Sequence, residues 1–349
     1  MNLATPKRRI LFRCDGTAQT GLGHVSRCLA LAEALEELDC TCWFAGHFGP
    51  AATALLAAGP HQQIALTQRS GSREDCAETA GLAGRLAVHG LVLDSYAAGL
   101  DFVETLARET PPLLVLDDFG ALASVRCAAL LNFTVGATGL GYPETGRLNL
   151  LGPEYFLARR RLRALRGRRS PRRGQPVNVC VAIGGFDRYD AAAQVLAALA
   201  PWARRSAVRV VVSRDTAPAP ALETLTARFL PTSGVCRQPA DLADELAWAD
   251  VCICGGGLVK YEAAYVGVPP AVLSQTEAQA GETVAFAARG LALDLGLAAT
   301  VNPAKVGQCL RAWMDDQSSL DAVRAKGLAT FPNDPTQQAA ETFLRVLNR

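Results

Sequence analysis

Short apolar runs and Ala/Leu-rich amphipathic stretches alternate along the first half of the chain. ILFRC at 10–14 predicts a strand, and HVSRCLALAEALEEL at 24–38 a helix whose apolar positions recur three and four apart. CTCWFAG at 40–46, QIALT at 63–67, LVLDSY at 91–96 and LLVLDDF at 113–119 predict further strands. Between them, AATALLAAG at 51–59 (closed by Gly59), LAGRLAVHG at 82–90 and FVETLARET at 102–110 predict helices. Strands alternating with helices at this spacing predict right-handed βαβ units and a parallel sheet.

The rhythm breaks where nine arginines crowd between Arg159 and Arg173, bracketed by Gly152-Pro153 and by Ser170-Pro171 and Gly174-Gln175-Pro176. It then restarts. VNVCVAIGG at 177–185, VRVVVS at 208–213, VCIC at 251–254 and PPAVLS at 269–274 predict strands. AAAQVLAALAPWA, ALETLTARF, DLADELAWA, VKYEAAYVG and the closing QQAAETFLRVLN predict helices. The expected architecture is α/β, with two doubly wound Rossmann-like domains facing across a cleft. Residues 1–157 form the first, 158–176 an Arg-rich linker, and 177–349 the second with its terminal helix.

Composition agrees with two cores, since 349 residues exceed what one core commonly serves. Half the residues are hydrophobic, 19% are charged and 6% aromatic, a globular balance. No apolar run reaches the roughly 18 residues of a membrane helix, and MNLATPKRRILFRCDG has too short an apolar stretch for a signal peptide. Eleven cysteines include no CxxC, and the four histidines stand at no zinc spacing from them. The cysteines read as small core residues in a reducing compartment, so a cytoplasmic location is expected. The net charge of +2 is nearly balanced, and the arginine segment has two readings, a nucleic-acid or acidic-membrane patch and a solvated linker. It lacks the interleaved aromatics of a single-strand binder, so the linker is expected, with no nucleic-acid partner.

Three strand–glycine–helix segments carry the candidate chemistry. In open α/β sheets ligands sit outside the carboxyl ends of the strands, where helix N-termini present unpaired N–H groups. The first segment is Asp15-Gly16-Thr17-Ala18-Gln19-Thr20-Gly21-Leu22-Gly23-His24. Gly21 and Gly23 allow close backbone approach, and His24 falls at the helix entrance. A dinucleotide fingerprint would want a small third residue where Ser26 stands. The second segment is Gly184-Gly185-Phe186-Asp187, and the third Gly255-Gly256-Gly257 ahead of Lys260, Tyr261 and Glu262. Three consecutive glycines suit a pyrophosphate cradle with Lys260 as charge partner; a tight, closely packed turn is the other reading.

At GLGHVSRCLALAEAL the chain resembles the family of the UDP-sugar hydrolase of pseudaminic acid synthesis and of related spore-coat polysaccharide proteins. Arg13-Cys14-Asp15 resembles its Arg-x-Asp start, Asp94-Ser95-Tyr96 its Asp-x-Tyr strand end, and Asp117-Asp118 its paired acids. Gly152 to Leu157, with Tyr155, resembles its Gly-x-x-Tyr-x-Leu stretch, and Gly184 to Asp187 its Gly-Gly-Ser-Asp loop. Gly256-Gly257, Tyr261-Glu262 and Gly267-Val268-Pro269 resemble its nucleotide site, and Glu277-Ala278-Gln279 its Glu-Asn-Gln. Leu258 and Val259 depart from a Ser-Thr pair, Phe186 from a serine and Ala278 from an asparagine. The resemblance implies the glycosyltransferase-B fold and water displacing UDP from a diacetamido-trideoxy sugar, with no metal and no cofactor.

On that basis His24 is the expected base, Asp15 the group that orients it, and Asp94 and Tyr96 the residues that grip the sugar. Arg27, Tyr155, Gly185, Asp187, Glu262, Glu277 and Gln279 join Gly21, Gly23, Gly256, Gly257 and Lys260 as expected substrate-binding residues. Asp117 and Asp118 either serve the site or cap the following turn. The expected partner is a nucleotide sugar, UDP-linked first. A glycosyltransferase with a hydroxyl or amine acceptor, and a non-catalytic nucleotide-sugar-binding relative, are the rival readings.

Overall fold

A computed structural model of the chain describes residues 7–143, 147–168, 177–184, 187, 189–212, 220–237 and 241–348. The chain divides into two compact units: one takes the chain through Thr17, His24–Arg160 and everything from Asp334, the other Ala18–Gly23 and Arg161–Asn333.

The first unit holds seven strands: β1 (Arg8–Cys14), β2 (Cys40–Gly46), β3 (Gln62–Ala65), β4 (Gly90–Asp94), β5 (Leu113–Leu116), β6 (Ala129–Asn132) and β7 (Leu148–Leu151). They pair all-parallel in the order β3-β2-β1-β4-β5-β6-β7. Helices flank the sheet, so β4 and β5 are buried along their whole length and read as continuous apolar runs. The order reverses between β1 and β4, where Cys14 pairs with Asp94. A doubly wound sheet opens its ligand crevice at that reversal, outside the carboxyl ends.

The second unit repeats the plan with β8 (Val177–Ala182), β9 (Ser206–Val212), β10 (Gly234–Arg237), β11 (Val251–Cys254), β12 (Pro270–Ser274) and β13 (Leu293–Leu297). Their order is β10-β9-β8-β11-β12-β13, again parallel, with the reversal between β8 and β11. Val179, Val181, Val208, Val210 and Ile253 meet helix residues such as Val195, Leu196 and Leu310 in its core. Each unit is thus the doubly wound α/β sheet that the alternating pattern predicts.

The sequence pattern does not predict β6, β7, β10 and β13 or the helices Glu277–Ala288, Pro303–Asp315 and Gln317–Thr330, and three further features differ from expectation. The helix expected over 82–90 is Arg73–Arg85, capped by Ser72 Oγ accepting from Asp75 N–H at 3.2 Å. Ala87, at φ 46°, turns the chain out of it. The arginine segment is not simply solvated: Arg159 and Arg160 bond Glu33 and Glu37 at 2.7 and 2.6 Å, and Arg161 bonds Asp244 at 2.6 Å. Arg166 donates to the carbonyls of Tyr265, Leu328 and Phe331 and lies 4.6 Å over the Tyr265 ring. Arg169, Arg172 and Arg173 lie outside the described residues.

The last helix, Pro335–Val346, is part of the first unit although its sequence follows the second. Thr336 Oγ1 accepts from Ala158 N–H at 2.8 Å, and Phe343 is fully buried beside Gly90. A Cβ at Gly90 would come within 2.8 Å of Leu347 Cδ2 and 3.1 Å of Phe343 Cζ, so the helix side chains pack directly on the start of β4. Among the described residues no helix is long and apolar enough to cross a membrane. All eleven cysteines are free. Phe343→Ala should remove about 3 kcal/mol of stability by opening a cavity between this helix and β4. Urea unfolding of the two proteins checks it.

Candidate functional site

The helix Gly23–Glu37 begins where the loop after β1 ends, and it places His24 and Arg27 three residues apart on one face. That face meets the carboxyl end of β4. His24 Nδ1 lies 2.6 Å from Asp94 Oδ1, and Arg27 Nε donates to Asp94 Oδ2 at 2.6 Å. Arg27 Nη1 spans both oxygens of Asp118, beyond β5, at 2.7 and 2.8 Å. Asp118 also accepts from the Tyr96 hydroxyl. The Tyr96 ring stands edge-on to His24, with centroids 4.4 Å apart.

A carboxylate only accepts, so the short contact assigns the Nδ1 proton to His24 and leaves Nε2 as the basic nitrogen. Arg27 Nη2, 3.4 Å from Nδ1, is then a neighbour and not a donor to it. Burial alone would raise the Asp94 pKa. The charge of Arg27 and the bonds that Arg27 and His24 donate outweigh it and hold Asp94 well below the usual carboxylate range. The arrangement is a buried anion fixing an imidazole tautomer, with a guanidinium balancing the charge.

Asp15, expected to orient His24, is engaged elsewhere. It accepts from Arg13 Nη1 at 2.7 Å, Ser70 Oγ at 2.6 Å and His47 N–H at 2.9 Å. Asp94, expected to grip the sugar, takes the orienting position instead. The reason is register: Asp94 ends β4 level with Cys14, on the side where the His24 helix packs. Cys28 Sγ of that helix reaches Asp94 at 3.7 Å. Asp117 caps its own turn, accepting from Phe119 N–H and Leu122 N–H at 3.2 and 3.0 Å. Gly21 adopts φ 72° and so needs to be glycine; Gly23 opens the helix with free space around it. Tyr155 sits half-buried in the short turn Pro153–Tyr155, with no described bond to this group.

In the second unit the triple glycine lies between β11 and the helix Leu258–Val266. A Cβ on Gly255 would fall 2.2 Å from the Ile183 carbonyl, and one on Gly256 2.8 Å from Ser274 Oγ. Close packing therefore demands both. Gly257 is exposed, its nearest neighbour Gln279 Nε2 at 3.9 Å, and it precedes a helix with no side-chain cap. First-turn N–H groups have no partner within their own helix.

Lys260 corrects the sequence expectation. Its ammonium is fully buried, bonds the Gly256 carbonyl and pairs with Glu282, which also takes the Tyr261 hydroxyl. Both partners tie its ammonium to the loop and to the helix that carries Glu282. Gln279 Oε1 accepts from Gln275 N–H at 3.0 Å beside the same loop. Glu262 is buried and Glu277 is exposed at the start of its helix. Asp187 caps the helix Ala191–Leu199, taking Ala191 N–H and Ala192 N–H at 2.7 and 2.9 Å, so those donors are occupied. Gly185 and Phe186 lie outside the described residues. Among the described residues no three His, Cys, Asp or Glu side chains gather as a metal site would need.

No protein-family profile matches the chain. It is similar to the spore coat polysaccharide biosynthesis protein SpsG of Bacillus subtilis, 28% identical over 289 residues, spanning 81% of this chain and 82% of that one. Its structure is similar to MurG of Acinetobacter baumannii, with a TM-score of 0.65 at 17% identity over 97% of this chain and 100% of that one. A UDP-glucosyltransferase of Polygonum tinctorium gives 0.69 at 13% identity, covering 99% of this chain and 100% of its own. The chain has the glycosyltransferase-B fold.

Arg27 was visible to sequence reasoning only as part of a motif, and Asp118 only as half of an acidic pair. Their link across 91 positions is a tertiary fact. The group has a measurable signature. With its folded pKa depressed, Asp94 contributes stability that is complete above its ordinary value of about 4 and is lost as pH falls toward the folded value. Asp94→Asn should cost about 3 kcal/mol at neutral pH by stranding Arg27, and the gap to the parent should narrow on acidification below about pH 4. Urea midpoints across that range check both.

Proposed function

We propose that this protein transfers the sugar of a nucleotide sugar to a hydroxyl acceptor, with His24 as general base and Asp94 as its positioning partner. The observation that carries the reading is the buried chain His24–Asp94–Arg27–Asp118 at the carboxyl edge of the first sheet, where such folds do their chemistry. The acceptor O–H proton passes to His24 Nε2 and the oxygen bonds the anomeric carbon. The bond from that carbon to the diphosphate breaks, and the diphosphate leaves with its electron pair. The glycine loop of the second unit, with the N–H groups following Gly257, is the proposed place for the nucleotide's phosphates.

The similarity to SpsG favours a role in surface polysaccharide formation, and the UDP-glucosyltransferase favours a UDP-sugar and transfer. With water in the acceptor's place the same base would hydrolyse the nucleotide sugar, as the motif resemblance implies. Tyr96 and Phe119 favour a larger acceptor: their rings lie 5.8 Å apart, 65% and 42% exposed, beside the base.

The test is incubation with UDP-, dTDP-, CMP- and GDP-sugars, with and without hydroxyl acceptors. Nucleotide release that requires an acceptor is the expected result. Release at the same rate without one makes the protein a hydrolase, and binding without turnover makes it a binding protein. His24→Ala should lower kcat about 10²–10⁴-fold with folding intact; undiminished turnover in that variant removes the mechanism.

A further inference from the structure

A second imidazole on the carboxyl edge of the first sheet is backed by a carboxylate, and the reaction above leaves it without a role. His47 directly follows β2. Its backbone N–H and its ring Nδ1 both meet Asp15 Oδ1, at 2.9 and 3.1 Å. Asp15 is itself locked by Arg13 Nη1 and Ser70 Oγ, and the buried Arg13 is held from behind by Asp75 at 3.1 and 2.8 Å. The backbone around the ring is as firmly placed. Gly16 N–H donates to the His47 carbonyl at 2.9 Å, and Gly49 N–H to the Gly16 carbonyl at 2.7 Å, so β1 and β2 stay paired past their ends. Gly46 permits this, since a Cβ there would fall 1.8 Å from the Cys14 carbonyl.

The chemistry of the pair repeats that of His24. A carboxylate accepts, so Nδ1 carries the proton and Nε2 presents a lone pair; the side chain is 31% exposed. Asp94 pairs level with Cys14 across β1–β4, while His47 stands beyond the β2 end, two strands away. At a strand spacing of about 4.8 Å the two backbones are roughly 10 Å apart, the reach of a substituted sugar. A guanidinium and two carboxylates buried beneath one half-exposed ring hold it in a fixed orientation, as ligand recognition requires.

We propose that His47 is a second substrate-binding imidazole, whose Nε2 accepts a hydrogen bond from a hydroxyl or amide N–H of the carbohydrate that reaches His24. The inference rests on the sugar-nucleotide reading and names the polar contact at the far side of the sugar.

Three variants separate binding from scaffolding. His47→Asn keeps a donor for Asp15 and deletes the outward nitrogen; His47→Gln sets an amide where Nε2 stood; His47→Ala removes both. With the nucleotide sugar that turns over, KM for the carbohydrate partner should rise about tenfold in the Asn and Ala variants, and Gln should recover much of it. The change in kcat should stay within about threefold. An unchanged KM in the Asn variant, or rescue by Asn and not by Gln, overturns the proposal and makes His47 a partner of Asp15 alone. Thermal unfolding of each variant confirms the fold. If no nucleotide sugar turns over, the functional reading fails and His47 is judged separately. In histidine-¹⁵N spectra, excess N-acetylglucosamine and UDP-N-acetylglucosamine should shift Nε2 of His47, and an unmoved signal with both probes overturns the inference.

Discussion

A guanidinium buried between two carboxylates sets the terms for the first unit. Arg27 is almost fully enclosed, and enclosing a cation is tolerable only when its donors are all met. Asp94 and Asp118 bond all three of its nitrogens from the ends of two neighbouring strands, which ties β4 and the turn after β5 to one helix face. Other features follow from this anchor. Asp94 stays ionised despite burial because Arg27 faces it, and an ionised Asp94 dictates which nitrogen of His24 carries the proton. Asp118, fixed by the same guanidinium, in turn fixes the Tyr96 hydroxyl. A chain of charge-assisted bonds therefore converts helix packing into the orientation of one ring nitrogen.

The two units share a strand order and use their carboxyl edges differently. In the first, side chains fill the edge with opposed charges. In the second, the edge is backbone: Gly255 and Gly256 let strand ends and helix start crowd together, and the Leu258–Val266 helix begins uncapped. Lys260, the one cation near the loop by sequence, turns inward to Glu282 and to the Gly256 carbonyl. An anion there would be met by peptide dipoles rather than by side chains. That bears on Leu258 and Val259, which replace a serine and a threonine in the motif that the chain resembles. They remove hydroxyl donors, yet the N–H groups of the same turn remain, since a backbone donor does not depend on residue type.

The pattern of apolar runs was enough to read nine of the thirteen described strands, because buried parallel strands are apolar throughout. The strands β6, β7, β10 and β13 escaped it, and so did the helices Glu277–Ala288, Pro303–Asp315 and Gln317–Thr330. The four-residue strands β6 and β7 are ALLN and LNLL, too brief to show a period. The helix Arg73–Arg85 begins with Arg, Glu and Asp and buries only one face through Cys76, Thr79, Leu82 and Ala83. The candidate site was legible as a set of residues and not as a set of partners. Asp15 and Asp94 both end apolar strands near a glycine loop, and only the strand register decides which one faces His24. Lys260 beside glycines suggests a phosphate ligand, until Glu282 is brought under it by a helix 22 positions later. His47 carried no local signal at all, being a lone histidine after a strand.

An imidazole base does not by itself distinguish a sugar hydroxyl from water, because both lose a proton of similar acidity to the same nitrogen. Discrimination has to come from what surrounds the reacting oxygen. Tyr96 and Phe119 leave aromatic surface in solvent next to His24, and each 100 Å² of such surface covered by an acceptor's carbon skeleton is worth about 2.5 kcal/mol. Water cannot collect that term, whereas an acceptor with a C–H-rich ring face can. The Tyr96 ring is also held by its hydroxyl to Asp118, so little side-chain freedom remains to be lost when a ligand settles on it. The same bond chain that positions His24 thus presents a fixed apolar wall beside it, and under the transfer reaction proposed above that wall favours a carbon-bearing acceptor over solvent.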